Sequence, residues 1–84
     1  MTKLEQLRAN EADAQLAADG ALITYDHALE FWQELIDILS ERDPEVEEAW
    51  LELRSAEDHW IGLRKALRAA QHAYFDELEK QENN

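Results

Sequence analysis

The sequence predicts an all-α fold, an antiparallel helical hairpin that pairs with a second copy of itself into a four-helix bundle. Three observations lead there. Turn-forming residues cluster at one place, Ser40-Glu41-Arg42-Asp43-Pro44, at the midpoint of the 84 residues, in a chain with two glycines and one proline. On either side of that turn apolar residues recur at alternating spacings of three and four, the pattern of a coiled-coil seam. The half before the turn also carries more apolar surface than one partner helix can cover.

The first element is a helix over about residues 3–40. Thr2 followed by Glu5 matches a capping box, and the Ala-rich stretch from Ala9 to Ala21 favours helix behind it. Asp19-Gly20 either ends a separate N-terminal helix or lies inside one long helix at a cost of about 1 kcal/mol. Leu22, Tyr25, Leu29, Trp32, Ile36 and Leu39 form its apolar seam. The turn follows at 40–44. Asp43 is a good N-cap, Pro44 suits the first helical position, and Glu45 and Glu47 complement the helix dipole.

A second helix over about residues 44–80 therefore starts at Pro44. Val46, Ala49, Leu53, Ala56, Trp60, Leu63, Leu67, Ala70 and Tyr74 are its seam. Folded back, the seams meet in mirror order, Leu39 with Val46, Ile36 with Ala49, Trp32 with Leu53, Leu29 with Ala56, Tyr25 with Trp60 and Leu22 with Leu63, so that large residues meet small ones at three of the six levels. Gly62, nearly opposite Ile23, reads as a point of close backbone approach. Residues 1–84 make one helical domain.

Beside the first seam lies a further stripe, Ala28, Phe31, Leu35 and Ile38, with Trp50 at the level of Leu35 across the hairpin. A two-helix rod is too slender to bury it internally. A homodimer is the commonest symmetric way to cover such a surface, which makes these five residues the expected oligomer interface. A helix of another protein, or a first helix folded back at Gly20 into a three-helix bundle, are the other solutions.

Composition sets the partners. Hydrophobic residues are 45% of the chain, enough for a packed face despite a net charge of −12. No apolar run approaches the ~18–20 residues of a membrane span, and Met1 to Glu5 lack the apolar centre of a signal peptide, so the chain reads as soluble and cytoplasmic with no membrane partner. Its negative sign disfavours direct contact with nucleic acid or anionic lipid, both of which need a positive footprint.

Chemistry has little foothold. There is no cysteine, Ser40 and Ser55 are in neither a nucleophile-elbow nor a Gly-rich context, and two isolated glycines cannot cradle a phosphate. No catalytic residue and no cofactor is expected, and the protein reads as no enzyme. A metal site is not expected either: no Glu-x-x-His occurs, and Asp43-x-Glu45-x-Glu47 departs from a calcium loop with Glu48 at its sixth position and Arg54 at its twelfth. His72 and Asp76, one turn apart, read as a solvated pair. His59 falls level with Asp26 and predicts a carboxylate–imidazole hydrogen bond beside the Tyr25–Trp60 layer.

The charge is unevenly spread. Residues 59–75 hold Arg64, Lys65 and Arg68 and no acid, and the register sets these cations beside Glu11, Asp13 and Asp19. Residues 26–58, in contrast, hold twelve acids against Arg42 and Arg54. Over a rod of about 25 Å this is roughly one net charge per ~2.5 Å, approaching the one per ~1.7 Å of duplex DNA. Glu30, Glu34, Asp37, Glu41, Glu45, Glu48 and Glu52 lack the interleaved lysines usual on a merely solubilising helix face. The expected function is that of a protein-binding inhibitor. Its acidic helices would occlude a basic, nucleic-acid-binding surface of another protein, the strategy of phage anti-defence proteins and other nucleic-acid mimics. The competing expectation is a structural, assembly or chaperone-like subunit that docks through the apolar stripe.

Overall fold

The computed structural model describes residues 2–83 and consists of two helices, α1 (Lys3–Ile38) and α2 (Pro44–Glu82), folded back on each other as a hairpin of 64 × 16 × 14 Å. Its ends follow from the caps. The Thr2 hydroxyl accepts a hydrogen bond from Glu5 N at 3.2 Å, and the Asp43 carboxylate accepts one from Glu45 N at 2.9 Å, each satisfying a backbone donor that the first turn of a helix leaves free. Between them Leu39 turns extended and closes α1, and Ser40 organises the reversal: its carbonyl accepts from Asp43 N at 2.9 Å and its hydroxyl from Arg42 N at 3.3 Å. The turn cluster thus acts where the sequence places it.

Gly20 does not break α1, which continues unbroken through it, so there is no separate N-terminal helix and no segment to fold back into a three-helix bundle. Gly62 is not a close approach, because a Cβ built there meets no atom within 4 Å. Both glycines face open space.

In α2 the buried and half-buried apolar residues match the predicted seam, with Val46, Ala49 and Leu53 at 3–4% exposure and Ala56, Trp60, Leu63, Leu67, Ala70 and Tyr74 partly covered. The mirror register holds at its aromatic level, where the Tyr25 and Trp60 rings stack with centroids 5.6 Å apart and planes 12° from parallel. At the open end Lys3 and Glu77 form an ion pair at 3.3 Å.

In α1 the seam is turned from the predicted one. Ala18 and Ala21 are its buried residues, and Leu4, Leu7, Ala14, Tyr25, Ala28, Trp32, Leu35 and Leu39 are half-buried along the same line, whereas Leu22 is 36% exposed. Two apolar lines with alternating spacing share Tyr25, Trp32 and Leu39. The line through Leu22, Leu29 and Ile36 runs upstream into Gln15 and Arg8, both exposed; the line through Leu35, Ala28 and Ala21 continues into Ala14 and Leu7. A helix that pairs over its whole length needs the second. Ala28 and Leu35, predicted as an outer stripe, therefore lie half-buried along the hairpin's own seam; Leu29 and Ile36 are half-buried beside them, and of the predicted seam Leu22 is the residue left exposed.

Two stability predictions follow from these positions. Leu53→Ala at 3% exposure leaves a cavity in the tightest layer and should lower the unfolding free energy by about 2–4 kcal/mol in denaturant titration. Gly20→Ala and Gly62→Ala, helical and unobstructed, should each raise it by about 0.5–1 kcal/mol, read as a higher thermal midpoint.

Candidate functional site

A two-helix hairpin has two broad faces, one on each side of its seam, and here their chemistry differs. On one, Phe31 and Leu35 of α1 and Ala49 of α2 floor an open hollow of about 410 Å³ rimmed by Glu45, Glu48 and Glu52. On the other, Trp32 and Ile36 meet Val46 and Trp50 in a hollow of about 420 Å³ near the turn, with Glu41, Arg42 and Glu47 at its edge. Trp32 and Trp50 pack there with centroids 5.0 Å apart at 45°. We refer to these as the Phe31 face and the Trp50 face.

This geometry separates residues that the sequence grouped. Trp50 does not extend a stripe of Phe31, Leu35 and Ile38; it lies across the seam from Phe31, 40% exposed. The reason is the rotated phase of α1, which brings Leu35 to the seam and leaves Phe31 (51% exposed) and Ile38 (77%) on the opposite side from Trp50. The five residues expected to form one oligomer interface are thus divided among the seam (Ala28, Leu35), one face (Phe31, Ile38) and the other (Trp50).

The acidic candidates stay closer together. Glu45, Glu48 and Glu52 converge on the Phe31 hollow, and at 100° per residue Glu34 falls on the same side of α1, with Glu30 and Asp37 on its back. Glu41 stands apart, at the turn on the Trp50 face. All seven are exposed. Among the described residues the one ion pair is Lys3–Glu77, so none of the twelve carboxylates of residues 26–58 is paired with a cation. Asp43 alone among them has a backbone hydrogen bond, as the α2 cap.

The expected compensation at the far end is looser than the register suggested. Arg64 and Asp19 line one hollow with Leu22 and Trp60, yet no ion pair forms, and the Arg64 guanidinium instead lies over the Trp60 ring, 4.9 Å from its centroid. A cation over an aromatic face gains from the ring's quadrupole. The i, i+4 spacing of Trp60 and Arg64 is the sequence signal that reveals it. Arg64, Lys65 and Arg68 surround the half-exposed Ile61 as a small basic patch.

The Asp26–His59 hydrogen bond does not form: both side chains are exposed, and none joins them among the described residues. No group of three or more His, Asp or Glu side chains is arranged to hold a metal among those residues. What the hairpin offers is surface: one face acidic around an exposed phenylalanine, the other apolar and aromatic. No helix among the described residues is long and apolar enough to cross a membrane. No protein-family model, curated protein or solved structure matches this chain.

Proposed function

We propose that the protein is a non-enzymatic inhibitor that pairs with a second copy into a four-helix bundle and uses the acidic turn half to occlude a basic, nucleic-acid-binding surface of another protein. The observation that supports this reading is the Phe31 hollow: three convergent carboxylates, unpaired with any cation among the described residues, around an apolar floor. Unpaired acids at this density repel one another, and a cationic partner relieves that repulsion while the field speeds its approach. Phe31, half exposed at the centre, supplies the apolar contact that a charged rim alone lacks.

A second reading is favoured by a specific observation, the exposure of Phe31 and Ile38 on one face. There the protein is an assembly or chaperone-like subunit whose contact is apolar and whose acids only keep it dispersed. Salt separates the two, since surface charge is screened and apolar burial is not.

Capture of partners from extract by the immobilised hairpin, followed by nucleic-acid competition for the captured protein, tests the proposal. Binding should weaken by at least about tenfold between about 50 and 200 mM salt, and free nucleic acid should displace the partner. Glu34→Lys combined with Glu45→Lys and Glu48→Lys should abolish capture while leaving helicity intact. Capture that survives this charge reversal and high salt, but is lost in Phe31→Ser, would establish the assembly reading instead.

A further inference from the structure

We infer that the second copy docks on the Trp50 face, with the two hairpins antiparallel, so that both acidic Phe31 faces point outward. This rests on the dimeric reading above and assigns its surface. The Trp50 side carries Leu22, Leu29 and Ile36 along the turn half of α1, before that line passes into Gln15 and Arg8, and Trp50, Ile61 and Phe75 at intervals along α2. Trp50, Ile61 and Phe75 are 37–59% exposed, far more than a seam position tolerates. In heptad terms Leu22, Leu29, Ile36 and Trp50 adjoin the seam, and Ile61 and Phe75, each one residue after a seam position, stand one row further out on the same side; a stripe of that width is what a helix presents when it has two helical neighbours rather than one. On the other face the corresponding α1 positions are Lys3, Asn10, Ala17 and Thr24, and only Phe31 and Ile38 near the turn are large and apolar.

In outline a face of 64 by 16 Å is about 1,000 Å², large enough in extent to contain the ~800 Å² per partner of a standard stable interface.

Charge decides the orientation. Parallel hairpins would set one turn half, twelve acids against two arginines, directly on another. Antiparallel hairpins place each turn half against the partner's far half, whose six cations, Arg64, Lys65 and Arg68 among them, against eight acids leave it only −2, so the repulsion is much smaller. The apolar row agrees. With the two-fold axis at mid-length, near Leu22, Trp50 and Ile36 of one copy come level with the Phe75 region of the other, about 20 Å from the axis at 1.5 Å per residue.

Light scattering over a concentration series should give twice the 9.8 kDa chain mass. Ile61→Glu with Phe75→Glu, both at exposed positions, should yield a helical monomer by circular dichroism, and Phe31→Glu with Ile38→Glu should remain dimeric. The chain has no cysteine, so a single spin label at Glu41→Cys reads the orientation: the two labels should lie roughly 55–60 Å apart, against under about 20 Å for parallel copies. A wild-type monomer at all concentrations, a dimer split by the Phe31 pair but not by the Ile61 pair, or closely spaced labels would each overturn the inference. A monomer that still captures a basic partner in a salt-sensitive way would overturn it alone, whereas a dimer indifferent to charge reversal would overturn the inhibitor reading alone.

Discussion

Two helices of 36 and 39 residues lie side by side because each presents one line of small and aromatic side chains to the other, and every surface property of the molecule is set by where that line falls. Alanines at 18 and 21 in α1 and at 49 in α2 are among its most buried residues, with exposures of 3–7%. Small residues let the backbones approach, and the approach covers the larger neighbours, Leu53 above all. Tyr25 on Trp60 then fixes the register by shape, since stacked rings admit little sliding. Once phase and register are set, the charged and apolar residues outside the seam have no freedom to choose a face.

That dependence explains which parts were legible in the sequence. The turn, both N-caps and the whole α2 seam follow from local rules, because Asp43-Pro44 and the spacing from Val46 to Tyr74 admit one interpretation. The phase of α1 does not. Leu22, Leu29 and Ile36 are larger than Ala21 and Ala28 and look like better core residues, yet burial follows the line that stays apolar along the entire helix, and alanine satisfies it. Hydrophobic size points to the line through Leu22, Leu29 and Ile36, of which Leu29 and Ile36 are half-buried and Leu22 is not, and that small difference in phase is enough to set Trp50 across the seam from Phe31. Gly20 was ambiguous for a related reason: a glycine flanked by long stretches of good helix formers is outweighed by the pairing on either side.

The candidate surface was legible in composition and only partly in arrangement. The excess of acids between residues 26 and 58 is visible in the chain, and so is the lack of lysine among them. Their convergence around Phe31 is not, because it joins residues of two helices through the rotated phase. The reverse holds for Asp26 and His59, level in register but on opposite sides of the seam: His59 repeats the heptad position of Glu45 and Glu52 on the Phe31 face, whereas Asp26, one residue after Tyr25, turns to the Trp50 side. The two faces differ chiefly near the turn, where the carboxylates of Glu45, Glu48 and Glu52 gather around Phe31 on one side and Trp32 packs on Trp50 on the other.

The uninterrupted seam also makes the hairpin a ruler. Removing seven residues from α1 and the seven at the same level in α2 would shorten the rod by about 10 Å and leave every remaining side chain on its face. Removing one residue from either helix alone would swing everything beyond it by about 100°, trading the acidic face for the back of the helix. A change of length in paired heptads would thus move the acidic turn half relative to the open end without altering either face, and a single residue added in the turn between Leu39 and Asp43 would leave the phase of both helices as it is.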